Sequence, residues 1–575
     1  MLKLLKFLGK YKKEAILGPL LKMLEALFEL FVPLVISALI DLGINGGRGN
    51  GFIVKMSLIL IAFGVVGLIF SVTAQYFAAK AATGVVKHVR YKLFEHIQKL
   101  GYPEIDKLGK STMITRLTSD VNQVQNGINL SLRLLLRSPF VVFGAMIMAF
   151  KVNAKLALIF AIVIPILAVV VFSIMLISIP LYKKVQRRLD SVLLSTRETL
   201  SGARVIRAFC MEDNEEEKFK EKNNHLVSMQ VLVGRISALM NPLTYVIINL
   251  AIVFLIYKGA ISVHTGIISQ GALVALYNYM SQILVELIKL ANLIINITRS
   301  FACGNRIQAV LDIEPTQKNG KNAEINENSP AVEFKNVSLV YGNDREPSIE
   351  DITFTARKGE TIGIIGGTGS GKTSIVNMIP RFYDASEGTV SVFGTDVKEW
   401  DMDALRNIMG IVPQKAELFK GTIRDNLKWG NSNATDEELL DALKKAQAQD
   451  VINSKEEGLA ALVEQYGRNF SGGQKQRLTI ARALVKNPRI LIFDDSASAL
   501  DYATDAKLIS EIRKMTDATV FIVSQRTSSI SHADKIIVLE EGRIAHMGTH
   551  DELLEKSEVY REIHYSQVKG DDGNE

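Results

Sequence analysis

Cysteine is nearly missing from this chain: only Cys210 and Cys303 occur among 575 residues. Both fall in or beside stretches whose charge assigns them to the cytoplasmic side, so no disulfide framework is expected. Lys and Arg are scarce in particular places. Residues 43–51 carry only Arg48 and residues 262–267 carry neither type, whereas the N-terminus, 87–125 and 183–235 are rich in both. The sparsely charged stretches separate long apolar runs and are too short to fold as an external binding domain. Glycine and proline are few in the two basic excursions, which therefore read as extended helices returning through short turns near 102–107 and 209–216. A small-residue cleavage site is also missing after the first apolar run, which is too long for a signal peptide and is expected to stay in the mature protein.

What the chain has in excess is apolar residues, 48% of the total, concentrated before about residue 300. Six runs, 14–44, 53–82, 130–152, 155–181, 242–263 and 268–297, each suffice to cross a hydrocarbon layer, which takes about 20 residues. The bias of Lys and Arg puts both termini and the later, polar half in the cytoplasm of a multi-pass cell-membrane protein. The net charge of +7 sits largely in loops flanking those runs, which argues against nucleic acid as a partner. Residues 1–13 interleave leucines with lysines, as suits an amphipathic segment at the lipid interface. The predicted fold is an α-helical polytopic domain of six transmembrane helices over 1–315, a polar linker over 316–330, and an α/β domain over 331–575.

Some polar groups lie inside the spans. Glu25 and Glu29, four residues apart, share one face of the first, and Glu286 lies with Lys289 in the sixth. A carboxylate at membrane depth is costly, which makes all three candidate substrate-site residues lining a wet cavity that admits cations. Local pairing, Lys22 with Glu25 and Lys289 with Glu286, is the competing account.

In the polar half, apolar positions 332, 334, 337 and 339 alternate as in a half-buried strand that ends at Tyr341. Residues 363–374 then read Gly-Ile-Ile-Gly-Gly-Thr-Gly-Ser-Gly-Lys-Thr-Ser, between an apolar run and a helix-like segment. Gly366, Gly371, Lys372 and Thr373 match the phosphate-cradling pattern G-x-x-x-x-G-K-[ST], so the α/β domain reads as a P-loop nucleotide-binding domain. Such a loop, here Gly366, Gly367, Thr368, Gly369, Ser370, Gly371, Lys372, Thr373 and Ser374, turns successive backbone N–H groups into one concavity that a Cβ would fill. Lys372 would reach the β- and γ-phosphates and the Thr373 hydroxyl would ligate Mg²⁺. The continuous apolar run 489–494 reads as a strand buried on both faces, so Asp494 at its carboxyl end would also hold Mg²⁺. Residues 469–477, Asn-Phe-Ser-Gly-Gly-Gln-Lys-Gln-Arg, read as a loop feeding a helix, with Ser471 as N-cap and glycines offering amides to an anion. Composition does not say whose anion.

Ser471, Gly472, Gly473 and Gln474, between a phosphate loop and a strand ending Asp494-Asp495, resemble the signature of the ATP-binding-cassette transporters. The resemblance covers the whole chain, since six spans precede a single cassette as in half-size exporters. It implies ATP and Mg²⁺ as cofactors and an ATP-hydrolysing translocase as the activity. It implies that Tyr341 stacks on adenine, that Gln414 touches Mg²⁺, and that the signature binds the γ-phosphate of nucleotide held by a partner's cassette. Residues 498–501 match the loop crossing that dimer interface.

The chain departs from the family pattern at two catalytic positions. Asp495 stands where the family has the glutamate that acts as general base, and Gln525 where it has the switch-loop histidine. The carboxylate is shorter by one methylene, and an amide cannot carry positive charge. The chain thus resembles the degenerate-site subunit of bacterial heterodimeric multidrug exporters: its own site is expected to be slow, its signature serves a non-identical partner, and its cargo is a small amphipathic compound. A homodimeric lipid or peptide exporter, or an ATP-gated channel-like protein, are the alternatives.

Overall fold

The computed structural model describes residues 2–322, 324–342 and 346–568. They form two compact units, one from Met1–Gln98 with Lys110–Ile313, the other from Lys99–Gly109 with Glu314–Glu575.

Six helical segments of the first unit, Lys6–Ile44, Asn50–Lys99, Lys110–Val152, Ala154–Ser201, Glu212–His264 and Gln270–Leu311, are long and apolar enough to cross a membrane. They outrun the apolar stretches read from the sequence because the basic excursions continue the same helices. The N-terminal segment Leu2–Tyr11 is a 3₁₀ helix, and Lys3 pairs with Asp312 at 3.1 Å. On the second span, Val54, Leu58, Ile61, Val65, Leu68 and Val72 recur every three or four residues and are all exposed. That stripe would be a liability in water and is neutral against lipid tails.

The sixth span carries the core of this unit, burying Ala275, Leu276, Tyr279, Met280 and Ile283 completely. The Tyr279 hydroxyl donates to the Leu30 carbonyl at 2.7 Å, which satisfies a polar atom that has no water to turn to. At the start of this span the Gly271 amide donates to Asp41 Oδ1 at 2.8 Å, so a carboxylate of the first span neutralises the helix N-terminus.

The turns fall where the sequence placed them. One is the short helix Tyr102–Leu108, bounded by Gly101 and Gly109, and the other is the break between Ala203–Ala208 and Glu212–Ala238. The short helix belongs to the second unit, where the Tyr102 ring packs on Phe382 with centroids 4.5 Å apart and Asp106 accepts from the Tyr383 hydroxyl at 2.5 Å.

Among the described residues the second unit is built on twelve strands. They are β1 (Val332–Leu339), β2 (Ile349–Ala356), β3 (Thr361–Gly366), β4 (Glu387–Val392), β5 (Thr395–Asp396), β6 (Met409–Val412), β7 (Gly421–Thr422), β8 (Leu462–Val463), β9 (Ile490–Asp494), β10 (Thr519–Val523), β11 (Lys535–Glu540) and β12 (Arg543–Gly548). The main sheet has the order β12-β11-β3-β10-β9-β6, and every pairing in it is parallel except β11 with β12. β9 and β10 are buried at every position, as their unbroken apolar runs require. An antiparallel sheet, β2-β1-β4-β5, stands beside it, and β7 pairs with β8.

The polar stretch after Ile313 is irregular but strapped down. The Thr316 hydroxyl donates to Glu104 at 2.6 Å, the Gly320 amide to the Trp400 carbonyl at 3.0 Å, and Glu327 pairs with Lys358 and Arg489. Those two cations hold the Glu327 carboxyl down at about 2.

Candidate functional site

In a parallel sheet the carboxyl ends of the strands make the ligand crevice, and β3, β9 and β10 deliver their loops there side by side. After β3 the chain turns through residues 366–371 into the helix Lys372–Met378. Two glycines make that turn possible. A Cβ on Gly366 would lie 2.2 Å from the Leu539 carbonyl oxygen, and one on Gly371, at φ +90°, 2.3 Å from Ile349 Cγ2. The cradle expected for a phosphate chain is therefore present in the backbone. Lys372, buried within it, folds its ammonium back to donate to the Gly366 and Gly367 carbonyls at 2.8 and 2.6 Å. Burial pulls its pKa below the usual lysine range, partly opposed by Asp495 and Asp494.

Of the three residues expected to bind Mg²⁺, Thr373 and Asp494 meet each other, whereas Gln414 bonds to Asp495 instead. The Thr373 hydroxyl donates to Asp494 Oδ1 at 2.8 Å, and burial, with the charge of Asp495 beside it, raises the Asp494 carboxyl. A hydroxyl and a desolvated carboxylate oxygen at the edge of a phosphate cradle are the hard oxygen donors Mg²⁺ takes, so this donor set fits the metal.

Asp495 sits in the left-handed region at φ 46°, a conformation that aspartate tolerates, and donates its amide to the Val523 carbonyl at 3.0 Å. Its Oδ2 accepts from Gln525 Nε2 at 3.1 Å and from Gln414 Nε2 at 3.3 Å. The residues singled out for catalysis thus converge on a single oxygen, although they lie up to 111 positions apart (525 − 414).

Tyr341 stands beside the loop that follows β3. Its hydroxyl donates to Ser374 Oγ at 3.0 Å and its ring meets Tyr383 edge-on at 4.9 Å. Burial raises its pKa.

The signature segment builds a separate feature. Ser471 caps the helix Gly472–Leu484: its Oγ accepts from the Gln474 amide at 3.3 Å while Gln474 Oε1 accepts from the Ser471 amide at 3.0 Å. Nothing lies within 4 Å of where a Gly472 Cβ would be, so that face of the helix start is open to an incoming anion.

In the membrane half all three candidate carboxylates are ion-paired. Lys22 donates to Glu25 at 2.6 Å, and Lys289 to Glu286 at 2.9 Å, as local spacing allows. What the sequence reading missed is Arg137. This buried guanidinium on the third span donates to Glu29 at 2.6 Å and to Glu286 at 2.6 Å, while Ser138 donates to the second Glu286 oxygen at 2.8 Å. Cavities flank the cluster, one of about 280 Å³ lined by Glu29, Asn278, Gln282, Glu286 and Lys289, the other of about 300 Å³ lined by Glu25, Glu29, Phe63 and Arg137. The side chains of Glu29 and Lys289 are 42% and 43% exposed, so one carboxylate and one ammonium remain within a ligand's reach. The cavity that carboxylates at membrane depth suggested is there, but Arg137 and Lys289 balance the charge of Glu29 and Glu286.

Comparison with known proteins agrees with this architecture. Residues 15–287 match the ABC transporter transmembrane region family and residues 349–498 the ABC transporter family. A candidate multidrug export ATP-binding/permease protein of Bacillus subtilis, YgaD, is 32% identical over 97% of this chain and 98% of its own length. An ATP-dependent lipid A-core flippase of Syntrophus aciditrophicus is 31% identical over 85% of this chain and 81% of its own. A solved structure of a bacterial Atm1-family ABC exporter with ATP bound matches with a TM-score of 0.79 at 25% identity, covering 98% of each chain. With two family matches in register with its two units and relatives of this length and identity, the chain belongs to the ABC transporters, as a half-transporter of the exporter type whose ATP-binding domain drives transport.

Proposed function

We propose that this chain is the slower half of a heterodimeric exporter: its own nucleotide site holds ATP and turns it over poorly, while its signature completes the site of a non-identical partner. The observation that carries this reading is the hydrogen bonding of Asp495 Oδ2, which among the described residues accepts from the neutral amides of Gln525 and Gln414 at 3.1 and 3.3 Å. A general base gains from a neighbour that can become cationic as negative charge builds on the nucleotide, and neither amide can. The shorter carboxylate compounds the effect, since about 1 Å of misplacement already costs on the order of 10²-fold in rate. When bound, ATP supplies the phosphoanhydride and Mg²⁺ the countercharge. Residues 366–374 would hold the phosphates, Thr373, Asp494 and Gln414 the metal, and Tyr341 the adenine, whereas Ser471, Gly472, Gly473 and Gln474 would reach the partner's nucleotide.

The cargo follows from the membrane cluster. Glu29 and Glu286 set against Arg137 and Lys289 sum to no net charge, which favours amphiphiles that are neutral or carry both signs over simple cations. This revises the cation preference that the carboxylates alone suggested. A second reading is a homodimeric lipid exporter, and the relative named as a lipid A-core flippase supports its lipid cargo. The purified chain in lipid nanodiscs separates the two: slow ATP hydrolysis that rises about tenfold or more with Asp495→Glu plus Gln525→His supports the slow half. Brisk turnover of the unmodified chain contradicts it.

A further inference from the structure

The Gln525 side chain reaches Asp495 from a short segment between β10 and the helix Thr527–Ile530, so its aim depends on how that segment is held. On one side it and the helix that follows are tied to the loop after Asp495 and to the start of the helix Tyr502–Ile512. Arg526 Nη1 donates to the Leu500 carbonyl at 3.0 Å, its guanidinium lies 4.5 Å above the Tyr502 ring, and the Ser529 hydroxyl donates to Asp505 at 2.5 Å. On the other side a single residue of the last helix, Glu558–Val568, takes hold of the backbone. Gln567 Nε2 donates to the Gln525 carbonyl at 2.7 Å, while its Oε1 accepts from the Thr527 amide at 2.9 Å and from the Thr527 hydroxyl at 3.1 Å. Only one orientation of the amide can serve a carbonyl and an N–H at once, so Gln567 fits this backbone as a matched donor and acceptor. His564, one turn earlier, lies 3.1 Å from the same Thr527 hydroxyl and braces the helix against the segment.

We propose that Gln567 is a positioning residue for nucleotide hydrolysis: it clamps the peptide groups on either side of Arg526, and so fixes the direction in which Gln525 meets Asp495. The helix Glu558–Val568 then acts as a strut that couples Gln567 to the nucleotide site, forty-two positions earlier in sequence. The proposal rests on Gln525 acting in that site, as read above.

The test uses the full-length chain in lipid nanodiscs, with its own hydrolysis as readout, and compares Gln567→Ala, Gln567→Glu, Gln525→Ala and Gln525→Ala/Gln567→Ala. Gln567→Ala is expected to lower kcat about five- to tenfold while KM for ATP moves less than about twofold, because the clamp touches no nucleotide. Gln567→Glu keeps the acceptor for Thr527 but loses the donor to Gln525, and is expected to lose kcat in the same direction. The double variant is expected to be no slower than Gln525→Ala alone, since both act through one side chain. If Gln525→Ala slows hydrolysis and Gln567→Ala leaves kcat unchanged, the clamp is overturned while the role of Gln525 stands. If Gln525→Ala itself has no effect, that role fails and the clamp falls with it. A fall in melting temperature for Gln567→Ala without a change in kcat would reduce Gln567 to a structural contact, and also overturns the proposal.

Discussion

Replacing Arg137 by methionine tests how the membrane half is held together. The guanidinium makes a 2.6 Å charge-assisted bond to each of two carboxylates on different spans. Breaking a buried ion pair from one side costs about 3–5 kcal/mol, because the partner charge is left behind without water. Here the low end applies. Glu286 keeps Ser138 and Lys289 at 2.8 and 2.9 Å, and Glu29 has a side chain that is 42% exposed, so neither is stranded outright. The expected loss for Arg137→Met is therefore about 3 kcal/mol. Adding Glu286→Gln removes the negative charge that the missing guanidinium exposed, and should give back about 1–2 kcal/mol. Unfolding by sodium dodecyl sulfate from mixed micelles, followed by circular dichroism, measures both. A loss below about 0.5 kcal/mol for Arg137→Met, or strictly additive effects in the double variant, would show that the cluster is solvated and that the reasoning is wrong.

Other consequences are local. Gly371→Ala must fit a Cβ 2.3 Å from Ile349 Cγ2 at φ +90°, so the phosphate loop should shift and nucleotide binding, followed by a fluorescent ATP analogue, should fall at least tenfold, about 1.4 kcal/mol. Tyr341→Phe deletes the bond to Ser374 but keeps the ring, and Tyr341→Ala removes both. If the ring stacks on adenine, the first should change ATP affinity less than about twofold and the second weaken it by about 0.5–1.5 kcal/mol, as measured by calorimetry. Glu29→Gln should weaken transport of amphiphiles carrying both charges more than that of neutral ones in proteoliposomes, and equal effects would remove Glu29 from the site.

How far the sequence could be read depended on how locally each feature is encoded. The phosphate loop, the capping pair of Ser471 and Gln474, and the pairs Lys22 with Glu25 and Lys289 with Glu286 each lie within a few residues, where spacing alone decides who meets whom. The placement of Asp494 beside Thr373, 121 positions away, was legible for another reason: a fully apolar strand implies a parallel sheet, and such a sheet gathers its carboxyl-end loops. Arg137 had neither kind of signal. Its partners lie 108 and 149 positions away on other spans, and its place inside the apolar run 130–152 does not say which carboxylates it would meet. The same holds for Gln567, a lone glutamine in a polar C-terminal helix, and for the strapping of the polar stretch by Glu104, Lys358 and Arg489. Composition identified that stretch as irregular but carried no information about what it lies on.

The most direct test is isolation of the transporter from its native membrane under mild detergent, with the subunits identified and ATP turnover measured on the intact assembly. The account predicts a second, different half-transporter at equal stoichiometry, with turnover that survives Asp495→Asn in this chain and collapses when the partner's general base is removed. A homodimer of this chain, whose rapid hydrolysis is abolished by Asp495→Asn, would contradict it.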